Sequence, residues 1–466
     1  MKASSIVGVG NTCRGALTRT LVLVFLATFL WLQIYVINLT TRDWPSQTTA
    51  NETLYSLVPQ ELHRFLKERH NASATTNATS GCLTNPEISE IRQNIDRINS
   101  EQRVYNEEAF GPLSPDAPVI VVQVHTRLIY LRHLIVSLAQ AKDIEQTLLI
   151  FSHDVWDPDI NYLVQSVDFC RVMQIFYPHS IQTHPHTFPG EDPHDCPRNI
   201  RKEQALLLKC TNAQHPDLYG HYREAKFTQT KHHWWWKANR VFDQLTVTRN
   251  HTGMILFLEE DHYVAEDFLH VLRLMERTCK HSCERCNVLT LGTYLKTYNY
   301  YSDFSRKAEV TPWISSKHNM GMAFNRVTWT KLKKCASLFC SYDDYNWDWS
   351  LQRVAQSCIP PSKGAGAVPR VDSGLIAMMM RAPRVFHIGE CGVHHKKNNC
   401  ESTAVIAKVR NVLKSARNHL YPTQLTLTVA GMVPKKKLRK GNGGWGDLRD
   451  QDLCWNITLN TDLVLP

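Results

Sequence analysis

An α/β fold with a mostly parallel sheet is what this chain predicts, on three observations. Short apolar runs alternate with stretches whose apolar residues recur at helical spacing, the pattern of βαβ units. One such run, Met254 to Leu258, opens directly into Glu259, Glu260, Asp261 and His262. In open α/β sheets, ligands sit outside the carboxyl ends of the strands, where this cluster would be presented. Finally, 466 residues at 43% apolar and 9% aromatic are enough for a substantial core and have a globular composition.

From the amino terminus, Leu21 to Ile37 carries no charge and one strongly polar side chain, Gln33. With Thr20 and Asn38 it approaches the ~20 residues of a bilayer-spanning helix. Lys2, Arg14 and Arg19 precede it, so the positive-inside rule predicts a cytosolic tail (1–20), a transmembrane signal anchor (21–38) and a lumenal body. A cleaved signal peptide fits less well, because the run is long and no small-residue cleavage site follows. Asn-x-Ser/Thr acceptors at Asn38, Asn51, Asn71, Asn77, Asn250 and Asn456 agree with a lumenal body. Asn38 lies too near the membrane to serve. Of 14 cysteines only Cys13 precedes the apolar run, and an oxidising lumen makes disulfides the default for the rest. Cys283-Glu-Arg-Cys286 has redox or zinc spacing, but no second pair follows, so a local disulfide is expected. The net charge of +10 and the run Lys435 to Lys440 do not indicate nucleic acid behind such an anchor. They read as a solvated loop or a clamp for anionic groups.

Residues 39–85 are rich in Thr, Ser and Asn and lack apolar periodicity, which reads as a glycosylated stem. Ile88, Ile91, Ile95 and Ile98 then mark an amphipathic helix. Packing on the neighbouring domain is expected, and a homodimer through this stripe is the alternative. The main domain, 86–466, continues with a strand at Val119 to Val124. A helical stripe follows (Leu131, Leu134, Ile135, Leu138), then strands at Thr147 to Phe151 and Val172 to Phe176. After Met254 to Leu258 comes a helix carrying Phe268, Val271, Leu272 and Met275. There is no GxGxxG after the first strand and no GxxxxGK[ST], which excludes the dinucleotide and P-loop readings. Beyond about Cys335 the chain is richer in Cys, Pro and Gly and is expected to be looser and held by disulfides.

Several clusters suggest chemistry. Gln123-Val124-His125-Thr126-Arg127 and Ser152-His153-Asp154 end adjacent strands, a natural nucleotide crevice. Arg127 as a helix-start ion pair and Asp154 as an N-cap are the plain alternatives. In Gln229-Thr230-Lys231-His232-His233, three tryptophans follow. On a helix they sweep roughly 200°, so at least one is expected to meet a second surface, either another domain or a ligand such as a sugar. Burial of all three in an enclosed helix is the alternative. In Asp343 to Trp349, Asp348 stands between indoles that would desolvate it and raise its basicity, which suits a general base as well as a structural aspartate. His387 follows an apolar run and is a candidate metal ligand, while His394 and His395 fit surface positions. HxxxH zinc spacing is absent, so a zinc hydrolase is not supported. Hard divalent cations take carboxylates, with substrate phosphates completing the shell. The acidic cluster is therefore read as a metal–diphosphate site.

Taken together, the blocks IFSHD, FPGEDPHDCPR, GHYREAKFTQTKHHWWWK, LFLEEDHY, HNMG, YDDYNWDW, CGVHHKK and GNGGWGD resemble the N-acetylglucosaminyltransferase II family over about residues 115–455. The resemblance implies a GT-A, Rossmann-like catalytic domain and a single-pass type II Golgi membrane enzyme. The reaction it implies is transfer of N-acetylglucosamine from UDP-GlcNAc in β1,2 linkage to the α1,6-arm mannose of an N-glycan acceptor, with inversion and Mn2+. This step converts hybrid to complex N-glycans. Donor contacts would come from Gln123 to Arg127, Asp154, Gln229 to His233 and Asn319. Asp261 and His387 would ligate Mn2+, and Asp348 would be the catalytic base. The implied disulfides are Cys196–Cys210, Cys283–Cys286, Cys335–Cys358, Cys340–Cys454 and Cys391–Cys400. Leu295 to Arg306 departs from the family, with Tyr298 the one donor contact proposed there. Ser362 to Pro383 reads as an insertion. The alternatives are a transferase acting on the α1,3 arm and a non-catalytic lectin on the same scaffold.

Overall fold

The computed structural model describes residues 28, 31–33, 55, 58–67, 83–294, 298–359, 374–389, 403–430 and 440–459. The chain divides into two compact units, Met1–Val58 and Pro59–Pro466, and the sheet and the site lie in the second. Most of the expected anchor and stem, and Cys391 and Cys400, fall outside the described residues. Among the described residues no helix is long and apolar enough to cross a membrane.

Helix α1 (Asn85–Glu101) begins where the Thr84 N–H donates to Glu87 Oε2 at 2.8 Å, half of a capping box. Its stripe packs inward: Ile88, Ile91 and Ile95 are buried, the last two against Phe176. Burial of an isoleucine contributes roughly 1.5–3 kcal/mol, which answers the packing-or-pairing question for these three residues.

Strands β1 (Val119–Val124), β2 (Leu148–His153), β3 (Arg171–Phe176) and β4 (Ile255–Glu259) form the parallel half of a nine-stranded sheet. Their near-continuous apolar runs are what strands buried on both faces require. Helix α2 (Leu128–Ala139) connects β1 to β2, and α3 (Ala225–Asn239) precedes β4. A short strand β5 (His262–Val264) follows β4 and leads into α4 (Phe268–Ser282).

The other half is mixed, yet five of the eight pairings in the sheet of the described residues are parallel, so the mostly parallel expectation holds. The mixed half contains β6 (Val288–Thr290), β7 (Lys307–Pro312), β8 (Met322–Phe324), β9 (Ile376–Met380) and β11 (Thr426–Val429). The full strand order is β11-β7-β9-β6-β8-β4-β1-β2-β3. β8, at the sheet's centre, lies antiparallel to both β4 and β6, which therefore run in the same direction. The insertion expected at Ser362 to Pro383 is overturned in part: Ile376–Met380 is an interior strand, fully buried and bonded to β6 and β7. Strand β10 (Val385–His387) leaves the main sheet and pairs antiparallel with β5.

The face of the sheet beneath α3 packs into one core with α5 (Trp347–Ser357) and the C-terminal helix α6 (Leu448–Leu459). All three tryptophans of α3 are buried there, which is the enclosed-helix alternative. Trp234 stacks on Trp347 with ring centroids 4.4 Å apart, and Trp235 stacks on Phe339 at 4.2 Å. Trp235 also donates through Nε1 to Thr458 Oγ1 of α6 at 2.9 Å. The helix is enclosed on opposite sides, so a wide aromatic sweep is satisfied by protein alone. In the C-terminal part, Cys335–Cys358 and Cys340–Cys454 are bonded as expected. Cys196–Cys210 and Cys283–Cys286 are bonded too, and Cys170 and Cys279 are free thiols in the interior.

Candidate active site

Strand parity decides what faces the carboxyl end of the sheet beneath α3. Val119 and Val121 of β1, Leu148 and Ile150 of β2, and Ile255 and Phe257 of β4 lie in the core on that face. Side chains two residues on share a face, so Gln123, Ser152 and Glu259 continue those rows at the strand ends. Register sets them side by side: Gln123 is level with Ser152 on one side and Glu259 on the other.

Helix α3 meets this row with Gln229, His233 and Lys237, spaced by four and therefore on one face. Lys237 Nζ donates to Gln123 Oε1 at 2.5 Å, and His233 Nε2 is 2.8 Å from Ser152 Oγ. Gln229 Nε2 donates to Asp154 Oδ2 at 2.8 Å, while Asp154 Oδ1 is 2.7 Å from His125 Nδ1. Burial alone would raise the Asp154 carboxyl. Hydrogen bonds and charge from His125 and His233 outweigh it and hold the group well below the usual carboxylate range. Lys237 is sealed from solvent, and burial pushes it down to about 7 against the pull of Glu259 and Asp154.

The four polar residues after β4 divide by role. Glu260 is a brace: its carboxylate accepts from the His125 N–H at 2.7 Å and from Arg127 Nε at 2.8 Å, tying the β1 loop to the β4 turn. Asp261 is buried, and its Oδ2 accepts from Arg127 Nη1 at 2.6 Å and lies 3.0 Å from His387 Nε2. Its Oδ1 has no hydrogen-bond partner, a costly state for a sequestered carboxylate oxygen unless something else meets it. Burial opposes ionisation of Asp261, but His387 and then Arg127 hold the group below the usual range. His262 accepts the Glu259 N–H through Nδ1 at 3.1 Å, and burial pushes it down to about 3, so it is neutral. Ligand atoms of Glu259, Asp261 and His262 lie within 4.8 Å of one another.

His387 reaches this cluster through the β5–β10 pairing, which aligns it with His262, and through the Ile388 N–H, which donates to Asp261 O at 2.9 Å. Gly321, at φ +58, lets the turn before β8 pass against Val385, where a Cβ would come within 2.7 Å of the valine. That turn also presents Asn319, whose Nδ2 donates to Asp348 Oδ2 at 3.0 Å. Asp348 sits in the first turn of α5, where burial, with Asp344's charge adding to it, raises its carboxyl to about 6. Tyr294 links the two groups of acids. Its phenol is raised by burial and by the charges of Glu259, Asp348 and Asp261.

The structure thus brings together Gln123, His125, Arg127, Asp154, Gln229 and His233 at one end, Asp261 and His387 at the centre, and Asn319 with Asp348 beyond. Val124 is buried in the strand, Thr126 is exposed and Thr230 is half-buried. Lys231 and His232 do not join them. Both are fully buried, Lys231 donating to the carbonyls of Tyr342 and Asp344 and His232 paired with Asp450 at 2.9 Å. At 100° per residue, Lys231 points about 200° away from Gln229, so a donor contact from it is corrected to an internal one. The His232 contact is corrected likewise. Tyr298 stands edge-on to Phe386, 5.1 Å between centroids, next to His387. Lys237 and Tyr294 were missed as site residues, and Glu260, read with the acidic cluster, proves to be a brace. Lys237 was legible in principle, as the third member of the four-residue spacing begun by Gln229 and His233.

The family model of N-acetylglucosaminyltransferase II (MGAT2) matches residues 92–454. The chain belongs to that family. It is therefore a glycosyltransferase. It is 45% identical to alpha-1,6-mannosyl-glycoprotein 2-beta-N-acetylglucosaminyltransferase of Rattus norvegicus, over 79% of this chain and 81% of the relative. The Homo sapiens protein of the same name is 45% identical over 78% of each chain. The Arabidopsis thaliana protein of that name is 33% identical, over 75% of this chain and 76% of its own length.

Proposed function

We propose that this chain transfers N-acetylglucosamine from UDP-GlcNAc in β1,2 linkage to the α1,6-arm mannose of N-glycans, with inversion and with Mn2+ as cofactor on a GT-A scaffold. The observation that carries the reading is 45% identity, over most of both chains, to enzymes named for that transfer. A divalent cation is supported by the donor set: the partnerless Asp261 Oδ1, the neighbouring Glu259 and His262, and the adjacent His387 imidazole. A mixed oxygen and nitrogen set suits Mn2+ better than Mg2+. Asp261 and His387 would hold it, and when bound it would neutralise the charge that develops on departing UDP.

The rest follows from the chain's own residues. The wall made by Gln123, His125, Asp154, Gln229 and His233 offers acceptors and donors for the nucleotide, held rigid by the mutual hydrogen bonds described above. Asp348 takes the proton of the attacking mannose hydroxyl as the anomeric carbon is approached from the side opposite UDP, and Asn319 fixes the carboxylate's orientation. One base and no protein nucleophile are what a single-step inversion needs.

Residence in the Golgi membrane as a single-pass type II protein belongs to the same reading. It is supported by the apolar Leu21 to Ile37 stretch, the sequons and the four disulfides among the described residues, which form in oxidising compartments. The test is Mn2+-dependent, acceptor-dependent UDP release with linkage analysis of the product. Release without transfer to the α1,6 arm would refute the acceptor, and glycan binding without release would leave only a lectin.

A further inference from the structure

We infer that Lys231 is a positioning residue for the base Asp348, acting through the Tyr342–Asn346 loop and not through the sugar nucleotide; this rests on Asp348 being the base. The ammonium of Lys231 is sealed from solvent and lies 4.0 Å from the centroid of the Trp445 ring. It donates to Tyr342 O at 3.1 Å and Asp344 O at 3.0 Å, and so clamps the loop on both sides of Asp343. Asp344 passes the constraint on. Its Oδ1 accepts from the backbone N–H and from Nδ2 of Asn346, each at 2.9 Å, and its Oδ2 accepts the same two groups of Asn442. Asn346 is the residue from which α5 starts, and Asp348 lies in that helix's first turn.

One helix therefore serves both substrates. Gln229 and His233 face the nucleotide end, while Lys231, on the opposite side, fixes where the base stands. Lys231 has a second effect through charge. Burial pushes the Lys231 ammonium down to about 7 against the charges of Asp344, Asp343 and Asp450, which favour its ionisation, and His232 beside Asp450 also faces it. Asp344 in turn raises the Asp348 carboxyl, and Tyr294 also senses Asp348. Protonated below about pH 7, Lys231 is a cation beside Asp344 over the range in which Asp348 titrates, so its removal should make Asp348 more basic.

The test compares the full-length protein with Lys231→Met, Asp344→Asn and Asp348→Asn, using UDP with Mn2+ in calorimetry and UDP-GlcNAc with an N-glycan acceptor in turnover. Lys231→Met should bind UDP within about twofold of wild type and keep its donor KM. Its kcat should fall by about 10²-fold, the loss expected of a roughly 1 Å misplacement. The acidic limb of its kcat profile should move to higher pH, whereas in Asp344→Asn, which removes a negative charge, it should move to lower pH. Parallel losses of UDP affinity and kcat would overturn the inference, as would an unmoved limb in both variants. If Lys231→Met does not fold, the limb of Asp344→Asn decides. Undiminished turnover by Asp348→Asn would instead refute the base itself.

Discussion

Asp261 Oδ2 and His387 Nε2 lie 3.0 Å apart, Asp261 in the turn just before β5 and His387 at the end of β10, the two strands of a three-residue antiparallel ribbon. The ribbon leaves little slack, because the Ile388 N–H is bonded to the Asp261 carbonyl. Asp261→Asn removes the charge while keeping the shape, and His387→Ala removes the nitrogen. Each should weaken Mn2+-dependent UDP binding by at least the ~10–100-fold typical of disturbing even the outer shell of a metal site. Chelation should abolish transfer in the wild type. Calorimetry with UDP and Mn2+ measures the first effect, and undiminished affinity in both variants would end the metal assignment.

Gly389 is a more selective probe of the same site. A Cβ there would stand 2.3 Å from Asp261 Oδ2 and 3.0 Å from its Cγ, so Gly389→Ala must displace a carboxylate that Arg127 and His387 otherwise hold. Since errors of about 1 Å can cost ~10²-fold in rate, turnover should drop at least tenfold. The midpoint of thermal unfolding should change little, because no core side chain is lost. A variant that binds Mn2+ and turns over normally would mean that Asp261 need not stay where it is.

The Asp348 carboxyl, raised to about 6 by burial and by Asp344, makes a prediction about pH. A base works unprotonated, so kcat should fall as pH drops through about 6 and level off above it. Asp348→Asn should retain UDP binding and lose ~10²–10⁴ in rate, the usual contribution of a general base, with no acidic limb remaining. A limb unchanged in that variant would assign the titration to another group.

How much of this was legible in sequence depended on the length of the signal. β1 to β4 are continuous apolar runs, and their order, polar ends and intervening helices were readable. β5, β6, β8 and β10 are three residues each, too short for periodicity to register, yet they place Asp261, Asn319 and His387. The proximity of Asp261 to His387 therefore came only from family resemblance. The same limit explains the misread stretch around Met378, where an interior strand resembled inserted sequence because its partners were themselves invisible. The opposite failure occurred in α3. Its tryptophans looked too many for one core because the second core-forming element, α6, lies more than two hundred residues further on. Lys231 and His232 were carried over with the whole family block Gln229 to His233, whereas helical geometry sends consecutive side chains in different directions.

That same distance makes the Arg223–Asp450 pair a test of what holds α6 in place. Arg223 Nε donates to Asp450 Oδ2 at 2.9 Å and Nη2 to Oδ1 at 3.2 Å, while Nη1 reaches Asp195 Oδ2 at 3.1 Å. His232 meets the same Asp450 carboxylate at 2.9 Å, and both Arg223 and Asp450 are buried. Breaking a buried pair by removing one partner leaves a charge without compensation and typically costs ~3–5 kcal/mol, so Arg223→Met should lose stability on that scale in chemical denaturation. The Cys340–Cys454 disulfide keeps α6 attached, so what is lost is docking, not the chain. Burial would raise the Asp450 carboxyl, but Arg223 and His232 hold it below its ordinary value. The unfolded chain therefore binds that proton more readily. The pair's contribution is present above the ordinary carboxylate range, about pH 4, and is lost as pH falls towards the depressed value. Arg223→Met should accordingly show a shallower loss of stability with acid than the wild type over that window. Identical slopes, or a cost below about 1 kcal/mol at neutral pH, would show that α6 is held by its apolar face alone.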